Sequence, residues 1–176
     1  MAPLIRGTLL LLYLALVLPL PALAPEGLRP WLLAAVPLGL LVVWAITSER
    51  VELDDHGLRL SHPAWCRWWL RRGWALQWSE VLALTPVTTS QGGRVFYLRT
   101  ENGSAYLLPQ RVQAFDDFLS RFSQHTGLST SAIGRISPAW TYQLLAVLSA
   151  GLLLAEFAGG WALATGRWVL PPGLAV

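Results

Sequence analysis

The stretch WTYQLLAVLSAGLLLAEFAGGW, residues 140–161, begins and ends on tryptophan and holds one charged residue, Glu156. The 21 steps from Trp140 to Trp161 cover about 31 Å at a helical rise of about 1.5 Å per residue. That matches the hydrocarbon core of a bilayer, and tryptophan prefers the two interfaces that bound it. Working outward, two more uncharged runs lie at 7–24 and 31–46. The first is long enough to span. The second reaches 18 residues when Pro30 and Thr47 are added, near the lower end of the spanning range. The break Pro25-Glu26-Gly27-Leu28-Arg29-Pro30 between them reads as the tip of a helical hairpin. Pro19 and Pro21 are expected to kink or end the first helix near its far interface.

Composition agrees. Of 176 residues, 54% are hydrophobic and 13% charged, and the mean hydropathy is +0.47. Soluble domains carry about 25% charged residues, so the composition argues against an ordinary soluble enzyme and more strongly against a disordered chain. All 13 basic residues are arginine, which removes lysine Schiff-base chemistry and lysine-dependent phosphate loops. The net charge of +3 is spread over few groups rather than gathered in a nucleic-acid-binding block. The single Cys66 rules out an intramolecular disulfide and a cysteine-based zinc site. Arg6 followed by a leucine-rich run and Ala22-Leu23-Ala24 also matches a secretory signal. Pro25 would obstruct cleavage, so the segment is expected to remain as a membrane helix.

Arginine sets the orientation. Arg6, Arg50, Arg59, Arg121 and Arg135 fall on one side of the three spans, and Arg29 and Arg167 on the other. The richer side is expected to be cytoplasmic or stromal. The domains are therefore read as a transmembrane hairpin at 1–46, a cytoplasm-facing polar domain at 47–128, a linker at 129–137, a third transmembrane helix at 138–165 and a tail at 166–176.

The polar domain opens on alternating residues. Val51-Glu52-Leu53 and Leu58-Arg59-Leu60 flank the turn Asp54-Asp55-His56-Gly57. Trp74-Ala75-Leu76-Gln77-Trp78 alternates too. A strand from Val81 is expected to stop at Pro86, and 94–100 and 105–108 flank an Asn102-Gly103 hairpin turn. After Pro109 the period turns helical: Val112, Phe115, Phe118, Leu119 and Phe122 form one stripe, closed by Gly127. The expectation is an α+β membrane protein, with about six or seven antiparallel strands in a small sheet or barrel capped by one helix.

This order resembles the bacterial pleckstrin-homology-like domain. The matching residues are Gly57-Leu58-Arg59-Leu60, Trp78-Ser79-Glu80-Val81, the Asn102-Gly103 hairpin, and Tyr106-Leu107-Leu108-Pro109 leading into the helix. A membrane hairpin followed by such a domain is also similar in layout to the photosystem I assembly factor family of thylakoid membranes, with the third span as a departure. The resemblance implies a non-catalytic binding or scaffolding module.

The densest feature of the chain is residues 65–78, with five tryptophans and three arginines in 14 positions. Trp65, Arg67, Trp68, Trp69, Arg71 and Arg72 are expected to form a loop that meets lipid headgroups or a protein partner. Against this stands packing of the loop over the core, with Trp74 and Trp78 pointing inward. In the third span, Gly151, Ala155 and Gly159 lie four residues apart and form a helix-packing face. Glu156 is an intramembrane carboxylate that either serves a transport path, snorkels, or pairs with Arg167. Catalytic constellations are missing. His56, His62 and His125 lack metal-ligand spacing, and the pairs Asp54-Asp55 and Asp116-Asp117 read as turn and solvated-face residues. No cofactor, metal or nucleic acid is expected. The partners expected are membrane lipids and an integral-membrane complex. The function expected is that of an accessory subunit or assembly factor. The alternatives are an anionic-lipid-binding module and a small transporter or channel component using Glu156.

Overall fold

The computed structural model describes residues 1–70, 73–90 and 92–167. They fall into two units. One comprises Met1–Pro3 with Ala45–Pro138, and the other Leu4–Trp44 with the segment from Ala139.

The first unit is built from two antiparallel three-stranded sheets. Strands β1 (Arg50–Leu53), β2 (Gly57–Ser61) and β3 (Trp74–Gln77) form one sheet in sequence order. Strands β4 (Val81–Thr88), β5 (Arg94–Thr100) and β6 (Ala105–Leu107) form the other. Alternation decides the faces: Leu58 and Leu60 are buried on β2 while Arg59 between them is exposed. Gly57 and Gly73 lie where the sheet backbone comes close. A Cβ at Gly57 would run into the Leu76 carbonyl, and one at Gly73 into that of Leu60.

Helix α4 (Phe115–Thr126) closes the unit. Its stripe of Phe115, Phe118, Leu119 and Phe122 is buried with Leu58, Leu76, Trp78, Phe96 and Leu98 in one core. Gly127 adopts φ +70 and donates its amide to the Ser123 carbonyl at 2.8 Å, which ends the helix as expected of a C-terminal glycine.

Three local features differ from the sequence reading. Strand β4 runs through Pro86 to Thr88, with Pro86 opposite Phe96. It pairs only with β5, and an edge strand tolerates the missing amide. Helix α4 begins at Phe115 rather than soon after Pro109, because Ala114 takes a left-handed conformation (φ 50, ψ 52) that interrupts helical geometry. The 129–137 stretch is not a free linker, since Ile133 is buried in the core and Leu128 packs against it.

The second unit holds three helices long and apolar enough to cross a membrane: Pro3–Leu23, Arg29–Ile46 and Ala139–Ala164. The first is α1 (Pro3–Val17) followed by the short α2 (Leu20–Leu23), the break falling at Leu18-Pro19 as the prolines require. The others are α3 (Arg29–Ile46) and α5 (Ala139–Ala164). Tyr13 of α1 donates its hydroxyl to the Val36 carbonyl of α3 at 2.8 Å. Gly39 makes room for that ring, since a Cβ there would collide with the Tyr13 hydroxyl. Thr8 of α1 is buried, with Oγ1 2.9 Å from the Leu4 carbonyl and 3.1 Å from that of Tyr142 on α5.

Candidate functional site

The tryptophan-arginine segment follows β2 as a compact turn. The Pro63 carbonyl accepts the amides of Cys66 and Arg67, both at 3.1 Å. The Cys66 carbonyl accepts those of Trp69 at 3.3 Å and Leu70 at 3.1 Å. Cys66 is fully buried, and its thiol donates to the Pro63 carbonyl of the same turn at 3.4 Å. The tryptophans on either side are left outside: Trp65 is 43% exposed, Trp69 40% and Trp68 84%. The Trp68 indole donates to the Trp65 carbonyl at 3.2 Å, fixing the ring over its own turn. Arg67 is exposed among them. Arg71 and Arg72 lie outside the described residues.

Beside this turn is a shallow basin of about 930 Å³, lined by Arg59, Ser61, His62, Arg67, Trp68 and Trp74 among others. Among the described residues neither Arg59 nor Arg67 forms an ion pair. Two guanidinium groups and an exposed indole suit an anionic or aromatic surface rather than a proton-transfer reaction. The sequence places Arg59 among the orienting arginines and not at this site. Its signal is the Leu58-Arg59-Leu60 alternation, which turns it away from the core on the strand leading to the turn.

The inward tryptophans have structural jobs. Trp78 is buried, donates its indole N–H to the Asp54 carbonyl at 2.9 Å, and stacks on His125 with ring centres 5.0 Å apart. Trp74 is half-buried against Tyr106 at 5.2 Å. At the β1–β2 turn, Asp54 Oδ1 accepts the amides of His56 at 2.9 Å and Gly57 at 2.8 Å. These bonds favour the charged form and hold the Asp54 carboxyl below the usual carboxylate range.

On α5, the small residues are not where this chain packs. Gly151 and Ala155 are exposed and Gly159 is half-buried, and a Cβ at Gly151 or Gly159 would find nothing within 4 Å. The face turned inward instead carries Tyr142, Ser149 and Glu156 at seven-residue spacing. Ser149 Oγ and Glu156 Oε2 are buried without a hydrogen-bond partner. Arg167 does not pair with Glu156; its guanidinium lies over the Trp161 ring, 4.5 Å from the ring centre. Trp140 and Trp161 are 62% and 55% exposed, while Trp168 lies outside the described residues.

The chain is 41% identical over 151 residues to the uncharacterized protein slr0269 of Synechocystis sp. (strain ATCC 27184 / PCC 6803 / Kazusa), a match that covers 82% of this chain and 76% of that protein. The chain belongs to the slr0269 family. No family model and no solved structure matches it. In this member of the slr0269 family, the described His, Cys, Asp and Glu side chains include no group of three that could hold a metal ion. The features with unspent binding capacity are the exposed tryptophan turn, the basin beside it and the unpartnered small-residue face of α5.

Proposed function

We propose that this slr0269-family protein is a three-span membrane protein whose polar domain, pleckstrin-homology-like and on the cytoplasmic or stromal side, is a non-catalytic docking module. It serves as an accessory subunit or assembly factor of a larger membrane complex. Two three-stranded antiparallel sheets followed by one amphipathic helix support the domain reading. Three helices of sufficient length and apolarity support the spans. A cyanobacterial relative is compatible with a thylakoid location.

The observation that carries the docking role is the turn at 63–70. Its backbone is clamped around a buried Cys66, yet Trp68 is left 84% exposed beside Arg67. An indole hydrogen-bonded to its own turn is organised for binding in advance, so less conformational entropy is lost when a partner covers it. Tryptophan and arginine are the side chains that dominate binding energy at protein interfaces.

The test is recovery of the tagged protein in mild detergent, with mass spectrometry of what remains bound. Stoichiometric recovery of one membrane complex, lost on Trp68→Ala with Arg67→Ala, is the expected result. Recovery with lipid alone would overturn the docking role. A second reading is then favoured by Arg59 and Arg67 facing one basin: the same surface binds anionic headgroups. Under that reading, removing Arg67, Arg71 and Arg72 abolishes binding to anionic liposomes.

A further inference from the structure

A second concavity lies in the first unit and shares Leu60, His62, Leu70 and Trp74 with the tryptophan basin. Its volume is about 840 Å³, within the range of roughly 300–1,000 Å³ typical of sites for small organic ligands. Apolar side chains dominate its walls, among them Leu60 and Trp74 from one sheet and Tyr97, Tyr106 and Leu107 from the other. Leu107 is 48% exposed there. Such a surface, open to water, is costly unless something covers it.

Two features say what covers it. The first is where the chain enters and leaves. Ile46, the last residue of α3, lines the cleft directly. Ile136 lines it too, three residues before Ala139 opens α5, and so within about 11 Å of that helix along the chain at about 3.8 Å per residue. If those helices span, the chain itself ties Ile46 and Ile136 of the cleft lining to helix ends at the bilayer interface. Both isoleucines are exposed, at 55% and 40%. The second feature is polar. His62 Nδ1 and Gln110 Oε1 are buried at the cleft wall with no hydrogen-bond partner. The Gln110 amide is oriented by donating Nε2 to the Gly134 carbonyl at 2.8 Å, which leaves its oxygen unused. Arg111 lines the same end and forms no ion pair among the described residues.

We propose that the cleft holds one glycerolipid drawn from the adjacent leaflet. An acyl chain lies along Leu60, Trp74, Tyr106 and Leu107. The phosphate meets Arg111, and a headgroup or glycerol hydroxyl donates to Gln110 Oε1 or engages His62. The cleft borders the tryptophan basin through Leu60, His62, Leu70 and Trp74 but does not include Trp68 or Arg67, and the proposal rests on the spanning reading above.

The test uses the full chain in nanodiscs that contain phosphatidylglycerol with a photoreactive diazirine at the end of one acyl chain. After irradiation, label is mapped by peptide. Label is expected in all three spans and, in addition, in the 94–111 region. Leu107→Glu places a charge on the apolar wall and is expected to lower the 94–111 label about tenfold while leaving the spans labelled. Leu107→Met keeps the wall apolar and is expected to keep the label. Labelled spans with an unlabelled 94–111 region would overturn the lipid cleft and leave the spanning reading intact. Loss of a protein partner from Leu107→Glu, without lipid label in wild type, would give the cleft to that partner and overturn the proposal equally. No label in any of the three spans would mean that the spanning reading itself has failed, and the proposal with it.

Discussion

Trp68 and Trp78 are ten residues apart and do opposite things. Trp78 is fixed by an indole hydrogen bond, a stacked histidine and an edge-on Phe122. Trp68 touches little beyond its own turn. Trp68→Ala is therefore expected to change stability by less than about 0.5 kcal/mol, as for other surface substitutions, while costing partner recovery. Unchanged recovery with unchanged melting would remove the turn from the interface. Cys66 is the buried side chain of that turn. Five tryptophans in one short stretch do not announce which of them are buried. Alternation along β3 turns Trp74 and Leu76 to the core side, but nothing periodic governs 63–70, so exposure there was legible only in the structure. Asp54 adds a pH dependence. Its carboxyl is held below the usual range by two backbone amides. The charged form is thus favoured by folding. The contribution is complete above the ordinary aspartate value and disappears as pH falls through the lower folded value. Acid titration of the melting temperature should show a steeper loss in wild type than in Asp54→Asn, which is less stable near neutrality. Parallel curves for the two proteins would show that this turn contributes no such term.

At the level of elements, apolar patterning told most of the story and backbone geometry the rest. The three apolar helices, the six strands and the stripe of α4 were readable because each rests on a period or a run length. The start of α4 was not, because Ala114 sits in the left-handed region, where alanine carries no sequence signal. Holding an L-residue there costs about 1–2 kcal/mol, and asparagine tolerates it better. Ala114→Asn is therefore expected to stabilise the protein by about 1 kcal/mol. Chemical denaturation would show the gain as a higher midpoint at constant slope, and a lower midpoint would mean that the alanine methyl is needed. Phe122 is fully buried at the centre of the aromatic row on the same helix. Phe122→Ala is expected to cost about 3–5 kcal/mol, enough to unfold a marginal domain. In the second unit, Tyr13 and Gly39 form a ring-and-gap contact that an apolar pattern cannot reveal, because tyrosine and glycine look unremarkable within two hydrophobic runs. The unpartnered face of Gly151 and Ala155 illustrates the converse. Spacing alone placed a packing face on α5, but the side that meets the rest of this chain carries Tyr142, Ser149 and Glu156. Gly151 and Ala155 are left exposed.

For the whole molecule, the decisive question is which side of the membrane each end of the chain occupies, and the sequence supplies its own experiment. Cys66 is the only cysteine and is fully buried, so the native protein should react slowly with a membrane-impermeant maleimide. Single cysteines can then be placed at two exposed turns. Glu26 lies between the first two apolar helices, and Glu101 lies in the hairpin between β5 and β6. The proposed cytoplasmic or stromal side rests on five arginines bordering the apolar helices on the domain side against two on the other. In sealed vesicles with the cytoplasmic face inward, Glu26→Cys should label and Glu101→Cys should not. Inverted vesicles should exchange the two results. Detergent should make both reactive, which checks that protection comes from the bilayer and not from folding. Labelling of both sites from one face would mean that residues 4–44 do not cross as a hairpin. It would defeat the spanning reading of that hairpin, on which the lipid in the cleft beside Leu107 rests. Labelling from opposite faces but with the sides reversed would keep the spans and defeat the arginine argument. The partner complex would then have to be sought on the other side of the bilayer.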